Sequence, residues 1–269
     1  MFTVIHNLRI YPGRTTVSII VFCLFLFLNP ALLASECSEK LNVEKFDVLS
    51  DVVKVYDGDT IKLKDGKKVR LLGINTPELN HKTKNHQPYA YEAFQYLKKI
   101  LIEKKVALVW DKEKRDRYHR YLAYVYLPNG EDIQVKMLNA GLATSIVVLP
   151  NDSRLNCYRR FEETARRKIK GIWKQSSYQT KYVTELKRRV NGYRFIQGEI
   201  KSIKHFKTAS LIKLSNDFQV YIKHEIYPTI RDKLNSSKWK NRAVTVRGWV
   251  NTYKGKLQIR LSHPDNLKF

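Results

Sequence analysis

A β-rich α+β fold is predicted, with an OB-like five-stranded barrel carrying helices and, behind it, a second small OB-like barrel. Three observations point to it. Short segments of alternating apolar and polar residues are separated by turn pairs such as Asp57-Gly58 and Asp65-Gly66. Between them lie stretches whose apolar residues recur at helical spacing, most clearly Ala93, Phe94, Leu97, Ile100 and Leu101. Beyond Gly192 a second unit follows, ordered as three strands, a helix and two strands.

The first unit spans 45–175. Strands at 52–56, 60–64 and 68–74 read as an antiparallel meander, because each Asp-Gly pair sits where a hairpin must turn. The stretch 79–89 holds two His, two Asn, two Lys and a Pro, and reads as an exposed loop. A helix over 90–104, strands at 106–110 and 121–127, and a short helix over 133–139 follow. Gly141 stops that helix as a left-handed terminator, and Ser153 is placed to cap a last helix running to Lys170. The polar segment 176–191, with Lys187-Arg188-Arg189, reads as a linker. In the second unit, 192–269, strands are expected at 195–204, 209–214, 219–223, 244–250 and 257–261, with a helix at 230–234.

The first 34 residues form a separate class. Arg9 and Arg14 precede the apolar run 17–28, and Asn29-Pro30 and Ala34-Ser35 follow, the layout of a secretory signal peptide. A run of twelve residues falls short of the roughly 20 a membrane-spanning helix needs, so stable membrane insertion is not expected after cleavage. Export to the periplasm or beyond puts the remaining cysteines, Cys37 and Cys157, in an oxidising compartment, where a disulfide between them is expected.

The chain carries 50 Lys or Arg against 25 Asp or Glu, a formal net charge of +25. That surplus exceeds what solubility requires and suits a polyanion, nucleic acid above all, because phosphate neutralisation supplies most non-specific affinity. In so basic a chain the acidic residues stand out. Asp57-Gly58-Asp59 in a hairpin and Asn75-Thr76-Pro77-Glu78 just past a strand make an oxygen-rich cluster suited to a hard cation such as calcium. Arg70 and Arg120, near the same strand ends, could hold a phosphodiester through paired donors. In the second unit, Tyr221, Trp249 and Tyr253 lie among Lys and Arg, the mixture used by single-strand binding platforms. The dispersed histidines have no metal-ligand spacing.

The segments VYDGDTIKL, VRLLGINTPE, DRYHRYLAYVY, LNAGLA and ARRKIKGIW resemble the staphylococcal nuclease (thermonuclease) family in content, order and spacing, over about 52–173. The Cys157-Tyr158 pair and VRGWVNTYKGKLQIRLSHP further resemble a bacterial two-domain subgroup of secreted nucleases. The resemblance implies that Asp59 and Asn75 bind calcium through side chains and Thr76 through its backbone carbonyl. It implies Glu78 as general base and Arg70 and Arg120 as the phosphate clamp. Tyr118, Lys82 and Lys84 would contact substrate. The implied activity is hydrolysis of DNA and RNA to 3′-phosphate products by a monomer.

Two positions depart from the family pattern. Asn75 replaces the usual aspartate, which removes one negative charge and keeps a carbonyl oxygen. The segment 145–148 is aliphatic where strongly nucleotide-binding members carry tyrosines, which takes away the ground for base stacking there. The competing reading is a catalytically inactive nucleic-acid-binding module of the same fold. Retention of Asp59, Arg70, Glu78 and Arg120 favours the enzyme.

Overall fold

A computed structural model describes residues 46–80, 82–187, 190–235 and 237–269. The expected signal peptide and Cys37 lie outside the described residues. Among the described residues no helix is long and apolar enough to cross a membrane.

Five strands close the first barrel: β1 (Val48–Val55), β2 (Thr60–Leu63), β3 (Lys68–Leu71), β5 (Lys105–Val109) and β6 (Tyr121–Tyr126), in the order β1-β2-β3-β6-β5. Closure leaves no open sheet edge, and the alternating apolar residues Val52, Ile61, Leu63, Val69, Leu71, Leu108 and Val125 fill the interior. The third strand is shorter than its apolar run suggested. It ends at Leu71, Gly73 turns the chain at φ 76°, and Ile74–Asn75 continue as β4. Strand β4 leaves the barrel and pairs with β7 (Thr144–Ser145), Asn75 opposite Thr144. The Asn75-Thr76 dipeptide is thereby carried to the barrel's lip.

Helix α1 (Ala90–Leu101) buries Ala90, Ala93, Leu97 and Leu101 against the barrel. It stops three residues before its expected end, because Glu103 turns into the left-handed region and its N–H bonds the Val52 carbonyl, starting β5. Helix α2 (Ile133–Asn139) follows Asp132, whose carboxylate accepts the Val135 N–H at 3.0 Å. Gly141 ends it at φ 68°, as expected. Helix α3 (Leu155–Arg167) is not capped by Ser153. Both the hydroxyl and the amide of Ser153 donate instead to Asp111, which also accepts the Tyr124 hydroxyl.

The second unit is one eight-stranded sheet. Its strands are β8 (Thr180–Tyr182), β9 (Gly192–Glu199), β10 (Ser202–His205), β11 (Ala209–Lys213), β12 (Phe218–Lys223), β13 (Ala243–Tyr253), β14 (Lys256–Arg260) and β15 (Leu267–Lys268). The order is β10-β11-β12-β14-β13-β9-β8, with β15 on β13. A second small OB-like barrel was expected, and the described strands form one eight-stranded sheet along a single path. The expected strand 195–204 breaks at its centre, where Ile200 bonds Arg242 and Lys201 bonds Lys213, bending the sheet around its core. The helix α4 (Ile230–Lys233) lies where predicted. The expected linker is partly structural: Thr180–Tyr182 add β8 to the sheet in parallel with β9, and Tyr178 is buried.

The two units share a core. Ala165, Ile172 and Trp173 of the first pack with Tyr178, Tyr193 and Phe195, and Ile146 and Trp249 lie against that cluster. At its edge Arg247, on β13, inserts a guanidinium that is 12% exposed. It donates to both Glu162 oxygens at 2.6 and 2.7 Å, to the Ser145 carbonyl at 2.6 Å and to the Tyr193 hydroxyl at 3.0 Å. Arg159 donates to the Asp265 carbonyl and the Asn266 side chain, each at 2.7 Å.

Candidate active site

A cleft of about 650 Å³ opens at the lip of the first barrel. The β1–β2 hairpin delivers Asp59, which is 5% exposed, and fixes its loop through the Asp59 N–H donating to Asp57 Oδ1 at 3.0 Å. Thr76 donates to Asp59 Oδ2 through both its N–H and its hydroxyl, at 3.0 Å each, and Thr60 Oγ1 donates to Oδ1. The strand-end segment and the hairpin are thus tied carboxylate to backbone.

Arg70 projects from β3, which pairs with β2 at Thr60. Its Nη1 donates to the Leu71 carbonyl at 2.8 Å, which aims the other nitrogen at the cluster. Nη2 lies 2.9 Å from Asp59 Oδ2 and 3.3 Å from Asn75 Oδ1. Two oxygens from different segments therefore converge on one point of positive charge. Those oxygens, with the Thr76 carbonyl and two neighbouring carboxylates, form a hard donor set that fits a cation such as calcium. Among the described residues no group of three or more His, Cys, Asp or Glu side chains is positioned to hold a metal ion.

Burial raises two carboxyls here. Burial and then the charge of Asp59 push the Asp57 carboxyl up to about 7, against the opposing hydrogen bond from the Asp59 N–H and the Arg70 charge. Burial by the cleft walls and Asp59 likewise raise Glu78, while Arg70 and Arg120 pull it back. Glu78 keeps contact with solvent at the rim, beside the hairpin carboxylates.

Arg120 enters from the loop before β6. Asp116 accepts its Nε at 2.7 Å and its N–H at 3.0 Å, and also takes the Tyr118 N–H at 2.9 Å. His119, at φ 62°, completes that tight turn. Tyr118 is 64% exposed, with the Arg120 guanidinium 5.6 Å from its ring centre. The cleft brings together Asp59, Arg70, Asn75, Glu78, Tyr118 and Arg120, with Thr76 buried just behind. Lys82 and Lys84 are not among its lining residues; both are exposed on the loop 79–89, where Asn80 accepts the Lys82 and Thr83 amides. Cys157 is buried on α3, and its expected partner lies outside the described residues.

Asp116 and Trp249 line the cleft although the sequence motifs gave them no role in the site. Asp57, part of the oxygen-rich cluster read from the sequence, lines the cleft as well. Asp116 was read only as part of a motif. Trp249, read as a surface platform of the second unit, lines the cleft of the first.

The model of the family described as "Staphylococcal nuclease homologue" matches residues 68–175, taking in Arg70, Asn75, Thr76, Glu78, Tyr118 and Arg120. The chain is 39% identical over 127 residues to a thermonuclease of Staphylococcus intermedius, covering 46% of this chain and 75% of that protein. It is 38% identical over 125 residues to a thermonuclease of Staphylococcus hyicus, 45% of this chain and 73% of that one. It is 38% identical over 132 residues to endonuclease YncB of Bacillus subtilis, 47% of this chain and 62% of that protein. With this cleft at the lip of a five-stranded barrel, and relatives of that identity over most of their own length, the chain belongs to the staphylococcal nuclease family.

Proposed function

We propose that this nuclease is an exported, calcium-dependent phosphodiesterase that cuts DNA and RNA internally and leaves 3′-phosphate ends. The observation that carries the reading is the convergence of Asp59 and Asn75 oxygens on Arg70 in a cleft that also holds Glu78 and Arg120. Bound calcium would supply Lewis-acid polarisation of a phosphoryl oxygen and compensate the carboxylates. Asp59, Asn75 and the Thr76 carbonyl would hold it. Glu78, raised from the usual carboxylate range yet flanked by two arginines, would accept the proton of an attacking water. Arg70 and Arg120 would hold the phosphate and favour the extra negative charge of the transition state. Tyr118 would touch a neighbouring phosphate, and Lys82 and Lys84, outside the cleft, would meet only longer substrates. Residues 1–34 would direct export, 45–175 would carry the chemistry, and 192–269 would add nucleic-acid contacts. A Cys37–Cys157 disulfide and a monomeric state belong to the same reading.

Plasmid and RNA digestion, with calcium and with excess chelator, tests it. Cleavage in millimolar-scale calcium, absent in chelator and not restored by zinc, is the expected outcome. Full activity in chelator would remove the calcium site from the account. Binding without cleavage in calcium would favour the inactive module.

A further inference from the structure

Trp249 belongs to the second unit by sequence and to the catalytic cleft by position. It sits on β13, where Val246, Gly248 and Val250 are buried in the sheet's own core. The alternate residues Arg247 and Trp249 therefore face the first unit. Arg247 fixes the approach by donating to the Ser145 carbonyl at 2.6 Å, and Ser262 Oγ donates to the Val147 carbonyl at 2.8 Å. The backbone on either side of Ile146 is thus held by the second unit, and Ile146 and Trp249 both line the cleft. Tyr193 braces the indole edge-on, with ring centres 4.9 Å apart at 79°.

The remaining wall on that side is aliphatic, Ile146 and Val148, the latter 54% exposed. Among the described lining residues Trp249 and Tyr118 are the aromatics, and Tyr118 lies with the arginines. A nucleotide whose phosphate lies between Arg70 and Arg120 has an apolar, π-rich base to place, and the indole is the surface available for it. We propose that Trp249 stacks on the nucleobase adjoining the scissile phosphate, so that the second unit supplies base recognition to the active site of the first. This rests on the nuclease reading above. Because duplex bases are already stacked on one another, the contact favours single-stranded DNA or RNA.

The test uses the full-length protein and two short single-stranded oligonucleotides, identical except that one has an abasic residue next to a unique cleavable phosphodiester. KM for cleavage in calcium and Kd with calcium omitted are both measured, and the abasic-to-intact ratio is taken within each variant, so any general loss of activity cancels. Wild type should bind the intact strand roughly 5- to 150-fold more tightly, the range that one base–aromatic stack spans. Trp249→Ala should bring the ratio close to one, and Trp249→Phe should keep most of it. A wild-type ratio near one, or an unchanged ratio in Trp249→Ala, would overturn the proposal and leave Trp249 as interface packing. Absence of cleavage with the Kd ratio intact would count against the nuclease reading alone.

Discussion

At Gly58 a methyl group would sit 2.7 Å from the Ala93 Cβ and 2.8 Å from the Thr76 Cβ and Oγ1. The glycine reads locally as half of an Asp-Gly turn, but what requires it is contact with residues distant in sequence: α1 and the Thr76 segment close over the hairpin there. Gly58→Ala is expected to destabilise the protein by about 1–3 kcal/mol through overpacking, and to weaken the calcium response further by displacing Thr76. Urea unfolding and the calcium midpoint of cleavage check both effects; a variant indistinguishable from wild type would contradict the contact. Asp111 is a second case. Burial raises its carboxyl, but hydrogen bonds from Ser153 and Tyr124 outweigh that and hold it below the usual carboxylate range. A folded pKa below the unfolded one contributes stability above the unfolded value of about 3.9 and loses it as pH falls through the folded value. Asp111→Asn should therefore show its largest stability deficit near neutral pH and a shrinking one below about pH 4. A deficit independent of pH would contradict this.

Among the elements, those of the barrel were legible because each carries its own period, two for the strands and 3.6 for α1, while the Asp132 cap before α2 is seen only in the structure. What local pattern could not convey was where strands stop serving the barrel. The run 68–74 looks continuous, yet β4 pairs with β7, and this pairing puts Asn75 and Thr76 at the lip. Residues 176–191 looked like a linker because their composition is polar, although Thr180–Tyr182 complete a sheet. Arg247 stands among residues alternating at period two, and nothing in the sequence sets it apart from the other Lys and Arg of the second unit. Its partners Glu162 and Ser145 are 85 and 102 residues away in sequence, beyond any local signal. Removing it leaves a buried carboxylate uncompensated, so Arg247→Ala should cost about 3–5 kcal/mol. Adding Glu162→Gln should recover a large part of that, because the amide oxygen can still accept the Ser145 N–H. Chemical unfolding of the full chain measures both. A double variant no more stable than the single one would argue against charge burial as the cause.

For the whole molecule, the sequence separates two units by a linker, whereas the structure docks the second against the first with Trp249 in its cleft. The basic surplus belongs at this scale: residues 192–269 carry 16 Lys or Arg against 5 Asp or Glu. Those charges should steepen the salt dependence of single-strand binding, and charge-neutral substitution of exposed lysines such as Lys254 should reduce the log–log slope by roughly one unit for each phosphate no longer neutralised. An unchanged slope after several such substitutions would assign the surplus another role. Most of the residues singled out in the sequence meet in the cleft because they lie in short motifs at strand ends, whereas Lys82 and Lys84 stay outside it and the place of Trp249 depends on docking. The part Arg120 and Glu78 play in the transition state is measured by single-turnover cleavage of a labelled single-stranded oligonucleotide in saturating calcium, by wild type, Arg120→Lys and Glu78→Gln. Wild type is expected to cut, and each variant to be slower by at least roughly tenfold while still binding the strand, because the interactions removed matter most in the transition state. Wild-type rates in both variants, or a wild type that binds and never cuts, would contradict that expectation.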